Sequence, residues 1–348
     1  MYATPLLPAN ARGLIGVERG TTMLFPVRRP RRLRIDSRLR NMVKEFSVEP
    51  RQLIYPLFVS ESIKKPDEIK SMPGQMHWPV NQIDKPVKDA MKKGVTAFLL
   101  FGIPSKKDPH GDSGCGENSV VCKAIKQIKK KCPEAYIITD VCLCEYTSHG
   151  HCGFIDKNGN VENDVSCAQL AKMALSHVKA GADMVAPSDM MDGRISAIRE
   201  ILDDNGFENT PIMSYSVKYA SSFYGPFREA ADSAPGKGDR KGYQMDFCNS
   251  RDAMIELESD FEEGADILMV KPGLPYLDIL KTASENYPCP IATYHVSGEY
   301  SMVKAAAQKG WIDEKKIVLE SLIAMRRAGA DLIITYFAPQ AAEWLKEA

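Results

Sequence analysis

The fold of this 348-residue chain is decided by the stretch Asp266-Ile-Leu-Met-Val-Lys-Pro-Gly273. Four consecutive apolar residues are typical of a strand that is buried on both faces, and the Pro-Gly pair ends it. Lys271 closes this strand, where an ammonium group is costly unless it is paired or deprotonated. Either its stem packs while the amine reaches water, or the amine is reactive. The rest of the sequence decides between these two interpretations.

Other segments repeat this apolar character, and helical patterns separate them. The eight predicted strands span residues 53–58, 96–101, 136–141, 183–186, 211–216, 266–271, 290–295 and 331–336. Three of them follow the phrase Gly-Ala-Asp, at 181–183, 264–266 and 329–331, which is typical of a helix that ends at a glycine before a strand. Alternation of eight strands with helices predicts a (β/α)₈ TIM barrel in the α/β class. An open doubly wound sheet is the alternative, although no Gly-x-Gly-x-x-Gly motif follows any strand.

Length and composition fit one domain preceded by an arm. Residues 1–34 contain seven arginines, one acid and several prolines, so we expect a partly extended N-terminal arm before a TIM-barrel catalytic domain at residues 35–348. The arm could dock on a partner subunit or be solvated; it also resembles an organelle transit peptide, but it has no serine. The formal net charge of zero gives no reason to expect a nucleic-acid partner. Because neither a membrane span nor a secretory signal is recognisable, we expect a cytoplasmic protein.

Three of the nine cysteines fall in one segment, Asp140-Val-Cys-Leu-Cys-Glu-Tyr-Thr-Ser-His-Gly-His-Cys152-Gly, directly after the third predicted strand. Cys142 and Cys144 would point the same way if the strand persisted, and the loop would then return Cys152 to them. Three thiolates suit zinc and leave a fourth position for water or substrate, whereas the alternative is a set of buried, inert thiols. For the two histidines of this loop we expect local hydrogen bonds rather than metal ligation.

A second lysine, Lys218, ends the fifth predicted strand. In a closed barrel Lys218 and Lys271 come from adjacent strands, and two ammonium groups at neighbouring strand ends repel each other, so at least one pKa should fall. Schiff-base chemistry on a ketone needs a neutral amine near pH 7. The pairing therefore favours the reactive interpretation of Lys271.

Other polar residues follow the remaining strands. After the fourth strand, Ser188 or Asp192 could cap the next helix, while Asp189 could face the barrel mouth. Arg228 and Arg240 lie in a segment rich in Gly, Pro and Ser, which suits a mobile lid that binds a carboxylate, or a solvated basic loop. The seventh and eighth strands are followed by two hydroxyl donors suited to a further carboxylate, Ser297 and Tyr336.

Together these motifs closely resemble the porphobilinogen synthase family, also called 5-aminolevulinate dehydratases, of the zinc-dependent type. The resemblance extends from about Arg28 to the C-terminus. It rests on the cysteine segment quoted above and on Ala186-Pro-Ser-Asp-Met-Met-Asp-Gly-Arg194, Tyr219-Ala-Ser-Ser-Phe-Tyr-Gly-Pro-Phe-Arg228, Met269-Val-Lys-Pro-Gly273 and Tyr294-His-Val-Ser-Gly-Glu299. Residues 1 to about 27 match nothing in the family.

The resemblance implies a lyase that condenses two molecules of 5-aminolevulinate to porphobilinogen with loss of two waters, an early step of tetrapyrrole and heme biosynthesis. Lys271 would form a Schiff base with the substrate that supplies the propionate side, and Lys218 would bind the one that supplies the acetate side. The other implied roles are zinc ligation by Cys142, Cys144 and Cys152, binding of the acetate-side carboxylate by Arg228 and Arg240, and binding of the other carboxylate by Ser297 and Tyr336.

The resemblance also implies an allosteric magnesium ion at Glu256, for which a merely solvated glutamate is the alternative, and a homo-octamer whose arms wrap neighbouring barrels. Two other functions stay open at this point. A class I aldolase acting on another keto substrate would need one Schiff-base lysine and no thiolate metal site. A zinc-stabilised scaffold would need a closed fourth ligand and no reactive amine.

Overall fold

The computed structural model describes residues 28–347, and the chain divides into two compact units at the Glu45–Phe46 boundary. The described part of the first unit contains a helical turn at Pro30–Leu33 and helix α1 at Ser37–Met42. Asp36 caps α1, because its carboxylate accepts a 2.8 Å hydrogen bond from the Arg38 amide. Residues 1–27 of the predicted arm lie outside the described residues.

The second unit is built from strands that alternate with helices. The strands are β1 (Leu53–Ser60), β2 (Asp67–Glu68), β3 (Met76–Pro79), β4 (Ala97–Ile103), β5 (Tyr136–Val141), β6 (Phe154–Ile155), β7 (Val161–Glu162), β8 (Met184–Pro187), β9 (Met213–Lys218), β10 (Ile267–Lys271), β11 (Ile291–His295) and β12 (Leu332–Thr335). The helices are α2 (Asp84–Lys93), α3 (Val120–Lys131), α4 (Asn163–Lys179), α5 (Arg194–Asp204), α6 (Gly225–Ala230), α7 (Arg251–Glu262), α8 (Leu277–Asn286), α9 (Ser297–Gln308), α10 (Glu314–Arg327) and α11 (Ala338–Lys346).

Eight of these strands form a parallel barrel in the order β8-β5-β4-β1-β12-β11-β10-β9. An isolated parallel bridge between Val185 and Ile212 joins the two terminal strands of this order. The predicted TIM barrel is therefore confirmed, strand by strand, and the doubly wound alternative is wrong. The sequence did not predict β3, which pairs with the far end of β1, or the β6–β7 hairpin.

The three Gly-Ala-Asp phrases have a common structural role. Each glycine ends a helix with a positive φ of 106°, 100° or 113°, a conformation that other residues rarely adopt. Each aspartate then accepts a hydrogen bond from a backbone amide at the start of the neighbouring strand. The pairs are Asp183 with Ile137 at 2.6 Å, Asp266 with Ile212 at 2.8 Å and Asp331 with Ile291 at 3.0 Å. The repeated phrase thus fixes strand register at the amino end of the barrel.

A bulge interrupts the pairing of β9 with β10. Leu268 pairs with Ser214, but Val270 pairs with Val217, so β9 carries one extra residue. Without the bulge Lys271 would face Val217; with it, Lys271 and Lys218 are register partners. The two lysines therefore meet at the carboxyl end of the barrel, where the loops of this fold build their sites. Among the described helices, none combines the length and apolar character that a bilayer crossing needs.

Candidate active site

Lys271 and Lys218 form the centre of the site. Each is the last residue of its strand, and their side chains lie in the barrel mouth with only 4% and 5% exposure. Tyr215, on the wall below them, has its ring centroid 4.9 Å from the Lys271 Nζ and 5.6 Å from the Lys218 Nζ. The predicted pairing of two strand-end lysines is confirmed.

Aromatic rings surround the Lys271 amine. Besides Tyr215, the ring centroids of Tyr294, Tyr224 and Phe227 lie 4.4, 5.2 and 5.2 Å from its Nζ. No residue between 28 and 347 accepts a hydrogen bond from this amine. Burial, followed by the positive charge of Lys218, lowers the pKa of Lys271 to about 7. The amine is therefore partly neutral at physiological pH, as a nucleophile must be.

Lys218 lies in a different environment. Its Nζ donates a hydrogen bond to the carbonyl oxygen of Ser188. Burial alone would lower the pKa of Lys218, but the negative charge of the thiol cluster, that of Cys152 first, outweighs burial and raises it above the ordinary value. In the absence of a metal, Lys218 is therefore a cation.

The three predicted cysteines converge next to these lysines. All three are buried, and their sulfur atoms lie within 4.8 Å of one another, with 3.3 Å between the Cys142 and Cys144 Sγ atoms. The other two thiols hydrogen-bond Cys152 and lower its pKa well below the ordinary value, whereas burial raises the pKa of Cys142. Three buried soft donors at this spacing suit a thiophilic metal ion. These side chains could therefore hold a metal.

The loop reaches this arrangement differently from the sequence-based expectation. Strand β5 ends at Val141, so Cys142 and Cys144 do not alternate along a persisting strand. Instead the Leu143 carbonyl accepts hydrogen bonds from the Tyr146 and Thr147 amides, and the resulting turn brings the thiols together.

The two histidines of the loop make hydrogen bonds, but their rings contact segments distant in the sequence, whereas local contacts were predicted. The His149 ring contacts the Pro109 carbonyl at 3.1 Å, and the His151 ring contacts the Tyr243 hydroxyl at 3.3 Å and the Lys237 carbonyl at 3.0 Å. The two rings thus connect the cysteine loop to the segments that contain Pro109, Lys237 and Tyr243.

The segment that holds the predicted arginines packs over the cysteine loop. Arg240 donates hydrogen bonds to the Gly150 carbonyl at 2.9 Å and to the Ser233 carbonyl at 2.5 Å. Its Nε, like that of half-buried Arg228 on α6, is buried without a partner among the described residues. Burial and the charge of Arg240 lower the pKa of Arg228, so these two cations lie close enough to repel. Two neighbouring guanidinium groups, each with a buried Nε that is unpartnered within the described part of the chain, favour an anionic ligand.

The two predicted hydroxyls lie on the Lys271 side of the mouth. Ser297 begins α9, and its Oγ accepts a 3.0 Å hydrogen bond from the Phe227 amide. Tyr336 accepts a 2.9 Å hydrogen bond from the Tyr294 hydroxyl, whose ring is one of those around Lys271. Both hydroxyls are thus connected to the aromatic walls of Lys271.

The loop after β8 corrects one expectation. Helix α5 begins after Gly193 without a side-chain cap, so neither Ser188 nor Asp192 caps it. Asp189 is buried and accepts a 2.8 Å hydrogen bond from the Met191 amide, while its Oδ2 has no partner among residues 28–347. Its Oδ1 lies 3.8 Å from Nε of the buried Arg194, which also forms two hydrogen bonds with Asp260 at 2.7 and 3.0 Å.

Glu256 lies outside the barrel mouth, on α7. It lines a cavity of about 770 Å³ together with Asp192, Asp252 and Gln244. Burial raises the pKa of Glu256 to about 7, although the charge of Arg194 opposes this. Within the described part of the chain, Glu256 belongs to no group of three converging acidic, histidine or cysteine ligands. An ion at this position would depend on water or on another chain for most of its ligands.

Sequence reasoning missed the aromatic walls and one carboxylate. Tyr215 and Tyr294 are interior residues of predicted strands, and their side chains looked like ordinary core. Tyr294 had a positional signal, since the motif that contains Ser297 follows it, whereas Tyr215 had none, because a residue three positions before Lys218 faces the other way in a regular strand. The cysteine spacing does not single out Glu145, yet its Oε2 lies 3.3 Å from the Cys144 Sγ.

Comparisons with known proteins identify the family of this chain. The family model described as delta-aminolevulinic acid dehydratase matches residues 27–344. A delta-aminolevulinic acid dehydratase from Archaeoglobus fulgidus is 54% identical over 322 residues, which cover 92% of this chain and 99% of the relative. One from Bacillus subtilis is 52% identical over 319 residues, covering 92% and 98%.

A solved structure agrees as well. The delta-aminolevulinic acid dehydratase (porphobilinogen synthase) of Toxoplasma gondii, crystallised with the reaction product porphobilinogen, superposes with a TM-score of 0.90 at 49% identity and covers 92% of each chain. The resemblance drawn from the sequence motifs is confirmed. This chain belongs to the delta-aminolevulinic acid dehydratase family.

Proposed function

We propose that this protein condenses two molecules of 5-aminolevulinate to porphobilinogen with the loss of two waters. The observation that carries the proposal is the pair of buried, register-matched lysines beside three converging thiols. The solved relative from Toxoplasma gondii described above has porphobilinogen as its reaction product. A lyase of tetrapyrrole biosynthesis is therefore the function that best fits the site.

Lys271 acts first in this proposal. Its amine adds to the ketone of one substrate, and loss of water leaves an iminium ion that accepts electrons from the adjacent C–H bond. The aromatic walls of Tyr294 and Phe227 keep water away from the bound carbon chain. A pKa of about 7 supports this role, because about half of the amine is then neutral at pH 7.

Lys218 holds the second substrate close to the first. Because the two amines belong to register-paired residues, both substrates are oriented within one cavity before the carbon–carbon bond forms. Zinc bound at Cys142, Cys144 and Cys152 would supply a Lewis acid that polarises an oxygen or nitrogen of this substrate. Ser188 fixes the Lys218 amine through its carbonyl oxygen.

The two substrate carboxylates would be held on opposite sides of the mouth. Arg228 and Arg240 would bind the acetate-side carboxylate, which supplies the partner that their buried Nε atoms lack. Ser297 and Tyr336 would bind the other carboxylate on the Lys271 side, as their contacts with Phe227 and Tyr294 support. These four residues would set which end of each substrate faces the reacting centre.

Borohydride trapping tests this function. With 5-aminolevulinate present, reduction should link substrate covalently to Lys271, and peptide mass mapping should identify the adduct. Without borohydride, porphobilinogen should accumulate at one molecule for every two substrates consumed. The absence of any adduct at saturating substrate would contradict the mechanism.

The proposal extends to the ions and partners of the site. Zinc is the ion favoured by three thiols, and magnesium is the ion we propose at Glu256, where oxygen ligands and retained water suit it. We further propose a cytoplasmic homo-octamer. All nine cysteines are free, which suits a reducing compartment, and Ile35 and Met42 of the first unit are 75% and 81% exposed, which suits docking of the arm on another copy.

The two other functions lose support. A class I aldolase would use one lysine and no thiols, whereas two buried lysines and three converging thiols occur here. A scaffold would have no reactive amine, whereas burial lowers the pKa of Lys271. Family membership favours the dehydratase over both.

A further inference from the structure

Glu299 is a buried carboxylate at the carboxyl end of the barrel, and it has no part in the function proposed above. It is the third residue of α9 and is 4% exposed. Its Oε1 accepts a 2.8 Å hydrogen bond from the Leu274 amide, and its Oε2 accepts one of 2.6 Å from the Val296 amide. Backbone groups from two different segments therefore satisfy the two carboxylate oxygens.

These amides are what makes a carboxylate suitable at this buried position. Burial raises the pKa of Glu299 to about 7, whereas hydrogen bonds from the amides of Val296, Leu274 and Gly273 lower it. A carboxylate presents only acceptors, so both of its oxygens can serve amide donors at once. A glutamine here would turn its N–H₂ group toward one of these amides, and that amide would lose its acceptor.

The two segments that Glu299 joins carry the two groups that the proposed mechanism assigns to one substrate. Leu274 is three residues after Lys271, in the loop that follows β10. Val296 directly precedes Ser297, whose hydroxyl is the proposed partner of the substrate carboxylate. One carboxylate thus connects the backbone beside the reactive amine to the backbone beside the carboxylate-binding hydroxyl.

Both segments are tightly packed against their neighbours. A Cβ atom at Gly273 would lie only 3.1 Å from the Tyr294 carbonyl oxygen, and one at Gly298 would lie 2.5 Å from the Phe223 carbonyl oxygen. Neither segment therefore has room to rearrange by itself. Loss of the shared acceptor would be relieved by movement of one segment relative to the other.

We propose that Glu299 is a positioning residue that fixes the separation between the Lys271 amine and the Ser297 hydroxyl and thereby selects keto acids by chain length. This role deepens the proposed function and rests on it, since it needs a substrate whose ketone meets Lys271 while its carboxylate meets Ser297. Two methylene groups separate these two functions in 5-aminolevulinate. A fixed separation places that ketone at the amine and misplaces a ketone that is one methylene farther from its carboxylate.

A helix cap is the rival explanation for Glu299. A glutamate at the third helical position commonly accepts a hydrogen bond from the amide of the residue before the helix, as Glu299 does from Val296. Capping explains this one bond and would stabilise α9. It does not explain the bond to Leu274, which lies outside the helix and follows the strand of the reactive lysine.

Borohydride trapping with two keto acids tests the inference in the full-length protein at pH 8. The acid 4-oxopentanoate keeps the spacing of 5-aminolevulinate, and 5-oxohexanoate adds one methylene. Neither carries an amino group, so Schiff-base formation at Lys271 is measured without turnover. Peptide mass mapping gives the ratio of the two trapping rates at subsaturating probe. The wild-type protein should favour the shorter acid roughly tenfold or more.

Substitution of Glu299 should reduce this selectivity. Glu299→Gln keeps the side-chain volume and loses one bond, so it should lower the ratio roughly tenfold, with slower trapping of the shorter acid as the cause. Glu299→Asp keeps the charge but is too short to reach both amides, and it should shift the ratio in the same direction even if the glutamine variant does not fold. Ser297→Ala should also lower the ratio, and adding Glu299→Gln to it should lower the ratio no further.

Asp331→Asn is the matched control, because the Asp331 carboxylate accepts the Ile291 amide at the opposite end of β11. It should leave the ratio unchanged. A merely structural role would slow the trapping of both acids by the same factor, so an unchanged ratio in Glu299→Gln would overturn the inference. A wild-type protein that traps both acids equally well would also overturn it. The absence of a 5-aminolevulinate adduct at Lys271 in the wild-type protein would instead contradict the proposed function.

Discussion

Lys271 and Lys218 occupy paired positions at the ends of neighbouring strands, yet their surroundings are opposite. On the aromatic side, formed by Tyr215, Tyr224, Phe227 and Tyr294, rings enclose Lys271 and its pKa falls to about 7. On the ionic side, formed by Asp140, Cys142, Cys144 and Cys152, negative charges hold the pKa of Lys218 above its ordinary value. The strand end supplies the amine, but the neighbours decide its charge.

This difference suggests that a bound metal would bring the pKa of Lys218 closer to that of Lys271. A dication bound to the thiolates would cancel much of the negative charge that keeps Lys218 protonated. We therefore expect Lys271 to be reactive with or without metal, and Lys218 to become reactive only when the metal is bound. The nucleophilicity of Lys271 is thus independent of the metal, whereas that of Lys218 depends on it.

Substitution of Lys271 should have the largest effect on turnover. Lys271→Ala should reduce turnover by roughly 10⁴-fold or more, because the nucleophile itself is lost. Steady-state assay with 5-aminolevulinate measures this, and circular dichroism should show an unchanged fold. Lys281→Ala, at an exposed lysine on α8 that pairs with Glu285, is the control and should retain full activity. Substantial turnover in Lys271→Ala would show that the aromatic side is not the reacting centre.

Removing the metal should affect the reactivity of the two lysines differently. Chelation should abolish turnover, whereas borohydride trapping should still label Lys271 and should lose any label on Lys218. Peptide mass mapping before and after chelation measures both. The barrel should stay folded, because most of its core is built from apolar strand and helix residues outside the cysteine loop. Unfolding on chelation would instead favour the scaffold interpretation.

Weakening one carboxylate site should affect binding more than chemistry. Arg240→Lys keeps the charge but loses the planar fork that can bind a carboxylate through two hydrogen bonds. We expect the KM for 5-aminolevulinate to rise roughly tenfold with a smaller change in kcat. An unchanged KM would place the acetate-side carboxylate elsewhere.

A separate test concerns stability, where the two lysines should differ in sign. Since the folded pKa of Lys271 lies near 7 and its ordinary value is 10.5, unfolding takes up a proton between these values, and the free energy of unfolding should rise with pH across that window. Lys271→Met should therefore raise the free energy of unfolding at pH 7 by roughly 2–4 kcal/mol and flatten this dependence. Urea denaturation at pH 7 and pH 9 measures both.

Lys218 should behave in the opposite way in the metal-free protein. Its folded pKa is raised, so its contribution to stability is present below the ordinary value of 10.5 and is lost as pH rises through the folded pKa. Lys218→Met should therefore lower the free energy of unfolding at pH 7. If both methionine variants changed stability in the same direction, the contrast between the two sides would be wrong.

The sequence predicted the features that depend on local pattern. Apolar runs, glycine breaks and the Gly-Ala-Asp phrase were enough to place the eight strands, and strand ends were enough to bring Lys218 and Lys271 together. The cysteine spacing was enough to predict a thiol cluster. These features succeed because each depends on residues close together in the chain.

The features that failed depend on tertiary geometry. A bulge in β9 makes Lys218 the register partner of Lys271, but β9 contains no glycine that would have indicated a bulge in the sequence. Tyr215 lies three residues before Lys218, and in a regular strand the two side chains would face opposite ways, so their common approach to Lys271 could not be predicted. The thiols were predicted to meet along a persisting strand, but a turn at Leu143 brings them together instead.

The most direct test is the pH dependence of substrate trapping at Lys271. Single-turnover Schiff-base formation, quenched with borohydride at each pH and mapped to this lysine, should reach half its maximal rate near pH 7. A midpoint near the ordinary lysine value of 10.5 would show that burial among the aromatic rings does not lower the pKa of Lys271, and it would contradict the account.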